Sequence, residues 1–349
     1  IVMLMNAMCE RGHSVSLLTW DSADAETFYP LDSNVSWRKL NMGDAMVKAS
    51  WPMRIKRMYK IRCMIKSDSP DVVIAFQHGP FITVALSILG LGMPIVAAVR
   101  NSPTRFDHTS SGKHRRFLFQ TYRLASLITV QMESYRNYYP AYLRSRIRHI
   151  PNPVSEYEQL ANPANGFYGS TKLMLNLGRL SYQKNQKTLL RAFSRIAPDF
   201  PQWKLRFVGD GEDRKSLIEL TNKLSLQKQV DCVGPVIDTC SEYAKANLFC
   251  FPSLWEGFPN ALAVAMAHGL PVIGFSACAG TNELIKNDVN GVLVEDGFSE
   301  TKLAEAMSSL MMDDEKRKIL GSNALAITQQ YSPEVIFKKW EKLFVELKK

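Results

Sequence analysis

The chain lacks the patterns that mark metal, disulfide and nucleophile chemistry. Its six cysteines form no Cys-x-x-Cys pair and lie mostly in apolar runs, which is typical of buried free thiols in a reducing compartment. No Asp-x-Asp pair follows a strand and no cluster has metal-ligand spacing, so we expect no metal. No nucleophile elbow is visible. No recognition helix, zinc finger or ribonucleoprotein pattern predicts nucleic-acid binding.

Acidic residues are scarce in the N-terminal half. Residues 1–150 contain 20 Lys and Arg against 10 Asp and Glu, whereas residues 151–349 contain 23 of each. The whole net charge of +10 therefore lies before residue 151. Such an uneven charge indicates an acidic ligand or surface on that side, and membrane lipid, a pyrophosphate-linked lipid and nucleic acid would each fit it.

A long uncharged run lies within this basic half. No residue from Val72 to Val99 is charged at neutral pH, and the stretch from Phe81 onward is long enough to span a membrane. Glycine or proline interrupts the run at positions 79, 80, 90, 92 and 94. A strand, a short helix and a second strand therefore fit the run better than a transmembrane helix.

Strands and helices alternate along the whole chain, which predicts an α/β fold with parallel sheets and helices on both faces. The length favours two domains. In the first half, strands are predicted at 15–18, 72–76, 95–99, 127–130 and from 147. In the second half, they are predicted at 173–177, 205–208, 230–233, 248–251 and 272–274, before a final helix from 333 to 349.

The most informative segment follows the predicted strand at 248–251. An acidic Gly/Pro loop carries Glu256, and Pro259 and Asn260 then open a helix of small residues. The first N–H groups of a helix have no partner within the helix, so they can face a ligand. A carboxylate beside such N–H groups suits a ligand that has both hydroxyls and phosphates.

This segment resembles the donor-sugar signature of the retaining glycosyltransferases of family 4, in the GT-B class. Glu256, Gly257 and Phe258 match the signature's first Glu and its Gly-Phe pair. The second Glu of the signature falls at Val264, which cannot accept a hydrogen bond from a ribose hydroxyl. The resemblance implies an α/β GT-B fold, in which two Rossmann-like doubly wound domains face a central crevice.

By the same resemblance, residues 1–152 would form the acceptor-binding domain and residues 153–332 the donor-binding domain. The final helix, 333–349, would pack back on the first domain. In the family, a strand and a glycine-rich turn precede the helix that resembles residues 1–10. Neither is present in this sequence, and we expect both in the complete protein.

Two further segments resemble family motifs. Gly178, Arg179 and Lys184 stand in a G-R-L…K-N pattern, and an arginine fork beside a lysine charge suits two adjacent phosphates. Gly209 and Gly211 belong to a V-G-D-G turn, in which glycine permits positive φ. The turn also looks like half of a dinucleotide fingerprint, but the complete G-x-G-x-x-G is absent.

The implied reaction moves a hexose or N-acetylhexosamine from a nucleotide-sugar, most simply a UDP-sugar, to a lipid-linked or envelope glycan with retention of configuration. Arg179 and Lys184 would stabilise the leaving diphosphate, Glu256 would hold the donor sugar, and His78 would lie near the reacting sugar. Backbone N–H groups at 260 and 261 would assist, and no cofactor besides the donor is expected. The residues implied in donor binding are Gly178, Arg179, Lys184, Gly209, Gly211, Gly257, Phe258, Pro259, Asn260, Ala261 and Val264.

Three polar residues outside these motifs are further candidates. Arg100 and Asn101 follow the predicted strand at 95–99, so they should face the crevice and could bind the acceptor or the phosphates. Glu283 follows the strand at 272–274, where a structural role is more typical than a catalytic one.

The segment from Trp51 to Lys66 has six cations, no acid and interleaved apolar residues. It could be a helix that packs on its own sheet and has a solvated basic face. It could in addition dock on an anionic membrane, which would bring the crevice to a polyprenyl-diphosphate-linked acceptor. We expect docking on the cytoplasmic, inner face of the cell membrane and no nucleic-acid partner.

Two other functions are compatible with the sequence. Val264 and the absent glycine turn would also fit a catalytically weak protein that binds sugar nucleotides, which a nucleotide titration beside a turnover assay would identify. An NAD(P)-dependent enzyme is the remaining alternative, and the missing fingerprint argues against it.

Overall fold

The computed structural model describes residues 1–42, 49–165 and 171–348. Lys349, which the sequence analysis placed in the final helix, lies outside the described residues.

The N-terminal strands form a parallel pair, β1-β2, and a four-stranded parallel sheet, β3-β4-β5-β6. Their bounds are Ser16–Thr19, Ser36–Lys39, Val73–Phe76, Ile95–Ala98, Leu127–Val130 and Ile147–His149 for β1 to β6. The helices of this half, α1 to α6, are Val2–Glu10, Trp51–Asp68, His78–Ser87, Arg105–His108, Arg115–Thr121 and Ala141–Arg144.

The second half contains a six-stranded parallel sheet in the order β12-β11-β10-β7-β8-β9. Strands β7 to β12 are Lys172–Leu177, Trp203–Val208, Val230–Gly234, Leu248–Phe251, Val272–Phe275 and Gly291–Val294. The helices α7 to α15 are Gln186–Ile196, Arg214–Lys223, Thr239–Lys245, Asn260–Ala267, Thr281–Leu284, Glu300–Met312, Asp314–Ala324, Ile327–Gln330 and Pro333–Leu347.

The order of this sheet reverses between β7 and β10, which are neighbours although 70 residues separate them along the chain. The chain winds outward from β7 in one direction and from β10 in the other. In doubly wound sheets, ligands bind beyond the carboxyl ends of the strands at such a switch point. The loops that leave β7 and β10 carry Arg179 and Glu256, so the topology brings the two predicted motifs to one crevice.

The uncharged run of the N-terminal half forms β3, α3 and β4, as the sequence predicted. Every residue of β4 and β5 is buried, because helices or loops cover both faces of a parallel sheet. Val96 and Ile128 have no exposed surface at the centre of this core. In the described part of the chain, no helix is both long and apolar enough to cross a membrane.

The final helix packs back on the N-terminal half, as the resemblance implied. Ser332 caps it by accepting a hydrogen bond from the Val335 N–H. Trp340, only 1% exposed, packs near the ring of Phe76 at the end of β3. Arg11, just after α1, pairs with two carboxylates of α15 and so joins the first and last helices.

A histidine is buried where the linker crosses the second domain. His268 has no exposed surface, and its ring stacks between those of Tyr157 and Tyr243, with centroids 4.2 and 5.2 Å away. Its Nδ1 donates to the Gln159 carbonyl at 2.7 Å, and its Nε2 is buried without a partner among the described residues. Burial lowers the pKa of His268, and the bond to Gln159 offsets this only in part.

This burial predicts acid sensitivity of the fold. Because the folded pKa of His268 lies below the unfolded value of about 6.5, the unfolded chain binds more protons as the pH falls through that value. The free energy of unfolding should therefore decline below pH 6.5, by up to about 1.4 kcal/mol per pH unit for this one proton.

Urea unfolding of wild type and of His268→Phe between pH 7.5 and 5 would measure the effect. The variant should lose part of the slope, whereas His114→Asn, at an exposed histidine, should retain it. An identical slope in wild type and His268→Phe would contradict the prediction.

Candidate active site

The switch-point crevice is built from a cation of one loop and a carboxylate of another. After β7, the chain passes through Gly178, at φ 150°, and a short 3₁₀ helix that ends at Lys184. After β10, it reaches Glu256. Lys184 Nζ lies 2.6 Å from Glu256 Oε1, and the exposed fractions of the two side chains are 21% and 7%. The two residues predicted for phosphate and sugar are therefore a largely buried ion pair.

Backbone and amide contacts hold these two loops against each other. Gln183 Nε2 donates to the Trp255 carbonyl at 2.8 Å, and the Gln183 carbonyl accepts from the Leu254 N–H at the same distance. Asn185, left-handed at φ 55°, donates from Nδ2 to the Pro252 carbonyl. The paired loops therefore fix the position of Lys184 relative to Glu256.

The V-G-D-G turn packs under the first loop, as expected of a structural turn in the crevice wall. A Cβ on Gly209 would lie 2.1 Å from the Gly178 carbonyl oxygen. A Cβ on Gly211 would lie 2.2 Å from that of Leu180. Only glycine permits this approach, and both residues also have positive φ.

Two cavities adjoin the Lys184–Glu256 pair. The larger, about 520 Å³, is lined by Lys184 and Arg179 together with His108, Thr109, Ser181, Tyr182, Gln183, Glu212 and Trp255. The smaller, about 300 Å³, is lined by Glu256 together with Ile1, Arg100, Asn101, Gln131, Asn152, Gln183, Gly257, Phe258 and Asn260. The pair forms the border between them, so the predicted phosphate cations face one cavity and the predicted sugar carboxylate faces the other.

The N-terminal domain meets the Glu256 loop directly. A Cβ on Gly257 would lie 2.3 Å from the Arg100 carbonyl oxygen and 2.6 Å from Gln131 Oε1, so only glycine fits there. The Tyr135 hydroxyl donates to the Glu256 carbonyl and lies 3.1 Å from the carbonyl of Ala279. The backbone of the loop that carries Glu256 is therefore held by residues of the other domain.

Glu283 has the structural role that the sequence favoured. One carboxylate oxygen accepts from the Glu133 N–H at 3.1 Å, and the other accepts from the Ser134 hydroxyl. These groups begin a 3₁₀ helix of the N-terminal domain, Glu133–Tyr138. Glu283 thus caps an element of the opposite domain and ties the two domains together.

The start of α10 differs from the prediction. The Asn260 N–H was expected to face the phosphates, but it donates to the Phe258 carbonyl at 2.8 Å. The reason is local: buried Pro259, at φ −77° and ψ 73°, makes an inverse γ-turn that closes this bond. The Asn260 side chain instead lines the smaller cavity, where its Oδ1 accepts from Asn152 Nδ2 at 2.8 Å.

Ala261 and Val264 are half-buried in α10, and neither lines either cavity. Val264 packs against the apolar core. Phe258 is buried and borders the smaller cavity.

His78 stays within the N-terminal domain. Its Nε2 is hydrogen-bonded to Thr121 Oγ1 at 3.0 Å, and its ring makes an edge contact with Tyr122. Burial, and then the charge of Arg105, lower the pKa of His78. His78 lines neither cavity, so the structure does not bring this predicted catalytic residue together with Glu256.

Several residues of the crevice were not predicted. Trp255, 6% exposed, stacks on the ring of His108 from the other domain, with centroids 4.7 Å apart. Gln131 directly follows β5 and Asn152 lies three residues after β6. The rule that singled out Arg100 and Asn101, which places ligands beyond the carboxyl ends of strands, would have identified Gln131 and Asn152 as well.

Comparison with known sequences gives two family matches and several similar proteins. Residues 1–156 match the family described as glycosyltransferase family 4, and residues 159–326 match glycosyl transferases group 1. An uncharacterized glycosyltransferase of Methanocaldococcus jannaschii is 28% identical, over 85% of this chain and 84% of that protein. The amylovoran biosynthesis glycosyltransferase of Erwinia amylovora is 27% identical, over 97% of this chain and 92% of that protein. A Campylobacter jejuni α-1,4-N-acetyl-D-galactosaminyltransferase, named for a diNAcBac-PP-undecaprenol-linked substrate, is 26% identical, over 100% and 94%.

Solved structures show the same fold. Sucrose-phosphate synthase from Thermosynechococcus elongatus has a TM-score of 0.80 at 18% identity, over 99% of this chain and 91% of that one. HepE from Anabaena, in complex with UDP and glucose, has a TM-score of 0.73 at 21% identity, over 90% and 86%. TarM has a TM-score of 0.71 at 18% identity, and the match covers 82% of this chain but only 58% of TarM. The fold is GT-B, as the resemblance implied.

The buried ion pair leads to a stability prediction. Lys184→Met leaves the Glu256 carboxylate buried without its cation, which should cost about 3–5 kcal/mol in the free energy of unfolding. Replacing both residues, as Lys184→Met with Glu256→Gln, removes both charges and should recover most of that loss. Urea unfolding of the wild type, of Lys184→Met, of Glu256→Gln and of the double variant would give the coupling energy.

The matched control is Lys302 and Glu305, a pair that is 2.8 Å apart, close to the 2.6 Å of Lys184 and Glu256, but largely exposed. Removing Lys302 should change stability little. Additive effects at Lys184 and Glu256, with no coupling, would contradict the prediction.

Proposed function

We propose that this chain, which is a glycosyltransferase of family 4 in the GT-B class, transfers a hexose or N-acetylhexosamine from a UDP-sugar to a lipid-linked or envelope glycan with retention of configuration. The observation that carries the proposal is the Lys184–Glu256 pair at the border of the two cavities. A donor that spans this border can present phosphates to Lys184 and sugar hydroxyls to Glu256.

The donor diphosphate would lie in the larger cavity. Arg179 is exposed at the end of β7, and no ion pair engages its guanidinium among the described residues. It is therefore available to bind an anion beside Lys184. The chemical task is to stabilise negative charge on the departing diphosphate, which fixed cations can do in a partly enclosed site. UDP is the proposed nucleotide because HepE, which has this fold, was solved with UDP and glucose.

In the proposed reaction, the bond from the sugar's anomeric carbon to the diphosphate oxygen breaks, and a bond to the acceptor oxygen forms on the same face. The proton of the acceptor hydroxyl passes to the departing phosphate, so no strong general base is needed. This fits the position of His78, which lines neither cavity. The proposal requires neither a metal nor a cofactor besides the donor.

The donor site is tested by UDP binding and by turnover in the same variants. Arg179→Ala and Lys184→Ala should each weaken UDP binding by about 1.5–3 kcal/mol, the contribution of a hydrogen bond to a charged group. Glu256→Gln should reduce transfer strongly and leave UDP binding nearly unchanged. Calorimetry with UDP, together with transfer assays on a panel of UDP- and GDP-sugars, would measure both.

Lys187→Ala is the control for the donor test, because Lys187 pairs with Asp213 and lines neither cavity. Unchanged UDP affinity in both cation variants would refute the proposed clamp. UDP binding without any turnover would instead favour a sugar-nucleotide-binding protein.

The proposed acceptor is lipid-linked, for which α2 offers a docking surface. Trp51, Ile55 and Tyr59 stand four residues apart on one face of α2 and are 76%, 65% and 70% exposed. Ile61 and Ile65, further along the helix, are buried and anchor α2 to the domain. An apolar stripe on a basic helix is the pattern of a helix that lies in a membrane interface.

The cations of α2 fall into two groups. Arg57, Lys60 and Arg62 donate to backbone carbonyls of neighbouring segments, so they support the fold. Arg54 belongs with them, because it donates to the Ala49 carbonyl just before the helix. Lys56 and Lys66 are exposed, and no acidic partner for them lies in the described part of the chain. The second group would face the anionic lipids on the cytoplasmic, inner side of the cell membrane.

The membrane proposal is tested by co-sedimentation with anionic liposomes at low salt. The triple variant Trp51→Ser, Ile55→Ser and Tyr59→Ser should lose binding, and Lys56→Glu with Lys66→Glu should weaken it, at about 1 kcal/mol per cation removed. Both variants should retain transfer to a soluble short-chain acceptor. If the wild-type protein does not bind anionic liposomes, the proposal is refuted, and the basic face of α2 is solvated surface.

A further inference from the structure

Arg100 is a cation of the smaller cavity that has no carboxylate partner. It follows β4, and its guanidinium lies over the rings of Phe76 and Trp340, 5.2 and 5.7 Å from their centroids. Its Nη1 donates to Asn152 Oδ1 at 3.1 Å. Across the described ranges, no Asp or Glu lies within ion-pair distance of Arg100.

Such a cation is costly to leave without a counter-charge. Burial lowers the pKa of Arg100 to about 10, and no carboxylate raises it in return. A guanidinium has five N–H donors, and the side-chain amide of Asn152 engages only one nitrogen. The aromatic faces compensate part of the cost through their negative quadrupoles. The remaining donors and most of the charge are available to the cavity.

A second unsatisfied group lines the same cavity. Gln131 is only 3% exposed; its Nε2 donates to Asn152 Oδ1 at 2.8 Å, and its Oε1 is buried with no partner in the part of the chain that is described. This oxygen lies against the Gly257 backbone, 2.6 Å from where a Cβ would be, so it is closed off from a ligand in the cavity. Gln131 therefore shapes the wall and holds Asn152, and the unused group of the cavity is the Arg100 cation.

The remaining wall of the cavity is rich in neutral amides. Besides Arg100 and Glu256, five carboxamide side chains line it: Asn101, Gln131, Asn152, Gln183 and Asn260. Carboxamides both donate and accept hydrogen bonds, which matches the hydroxyl groups of a sugar. The cavity therefore combines amides that can bind hydroxyls with the positive charge of Arg100.

We propose that Arg100 forms an acceptor subsite in the smaller cavity, where it binds an anionic group of the acceptor, phosphate or carboxylate. This inference rests on the proposed function. The acceptor fits better than the donor, because the donor diphosphate has its own cations, Arg179 and Lys184, on the other side of the ion pair. Arg100 belongs to the N-terminal domain and faces the side of Glu256.

The test measures anion binding with the donor site already filled. Protein saturated with UDP is titrated with inorganic pyrophosphate, with glucuronic acid and, as a neutral reference, with glucose, by calorimetry at constant ionic strength. Pyrophosphate or glucuronic acid should bind, and Arg100→Gln should weaken that binding about tenfold or more without changing UDP affinity. The anion that loses most affinity in the variant identifies phosphate or carboxylate as the group bound.

The matched control is Arg123→Gln. Arg123 also belongs to the N-terminal domain and lies over an aromatic ring, that of Tyr142, but it lines neither cavity. The control makes the same change in net charge and should leave anion binding unchanged.

If Arg100→Gln does not fold, Arg100→Lys keeps the charge between the two rings but loses the planar fork, and it should weaken anion binding by a smaller factor.

Three results would overturn the inference. The first is that neither anion binds the UDP-saturated wild type, and the second is that the anions bind the Arg100 variant as tightly as the wild type. The third is that Arg100→Gln weakens UDP binding as much as anion binding, which would assign Arg100 to the donor. Failure of the proposed function is distinct, because it would appear as loss of UDP binding or of transfer. Pyrophosphate binding that depends on Arg100 would support the subsite even then.

Discussion

The ion pair between Lys184 and Glu256 is the interaction on which the rest of the crevice depends. A carboxylate that is 7% exposed must have a partner, because an unpaired buried charge is far more costly than any hydrogen bond that the loop could make. The left-handed Asn185 and the two bonds of Gln183 bring the lysine to the carboxylate. The pair therefore aligns the loops after β7 and β10, and with them the two cavities.

The second constraint is the contact between the domains at Gly257. The backbone there is so close to Arg100 and Gln131 that a single added carbon would overlap both. Tyr135 and Glu283 reinforce this contact from opposite directions, each bonding to the backbone or a side chain of the other domain. As a result the smaller cavity is lined by both domains, and a ligand in it contacts the Glu256 loop and the ends of the N-terminal strands together.

Much of the fold could be predicted because its signals are local. Apolar runs bounded by glycine and proline located β3, α3 and β4, and the alternation of strands and helices gave parallel sheets. The motif spacing brought Lys184 and Glu256 to one crevice. Partners across the domain interface could not be predicted, because Gln131, Asn152 and Tyr135 are far along the chain from the residues they meet. The hydrogen bond from the Asn260 N–H to the Phe258 carbonyl depends on the ψ angle of Pro259, and residue type alone does not determine that angle.

The basic excess of the N-terminal half shows how composition alone can overstate a binding surface. Many of its arginines bond backbone carbonyls: Arg57 bonds that of Met42, Arg144 that of Tyr139, and Arg146 that of Ala125. In a half of the chain where acidic residues are scarce, these arginines have backbone carbonyls as hydrogen-bond acceptors. Their presence therefore does not imply an external anion. The charges open to a partner are therefore fewer than the net +10 suggests. They include exposed cations of α2 outside and Arg100 inside the crevice, the two places where we propose anionic partners, and the rest of the excess contains a set of structural arginines.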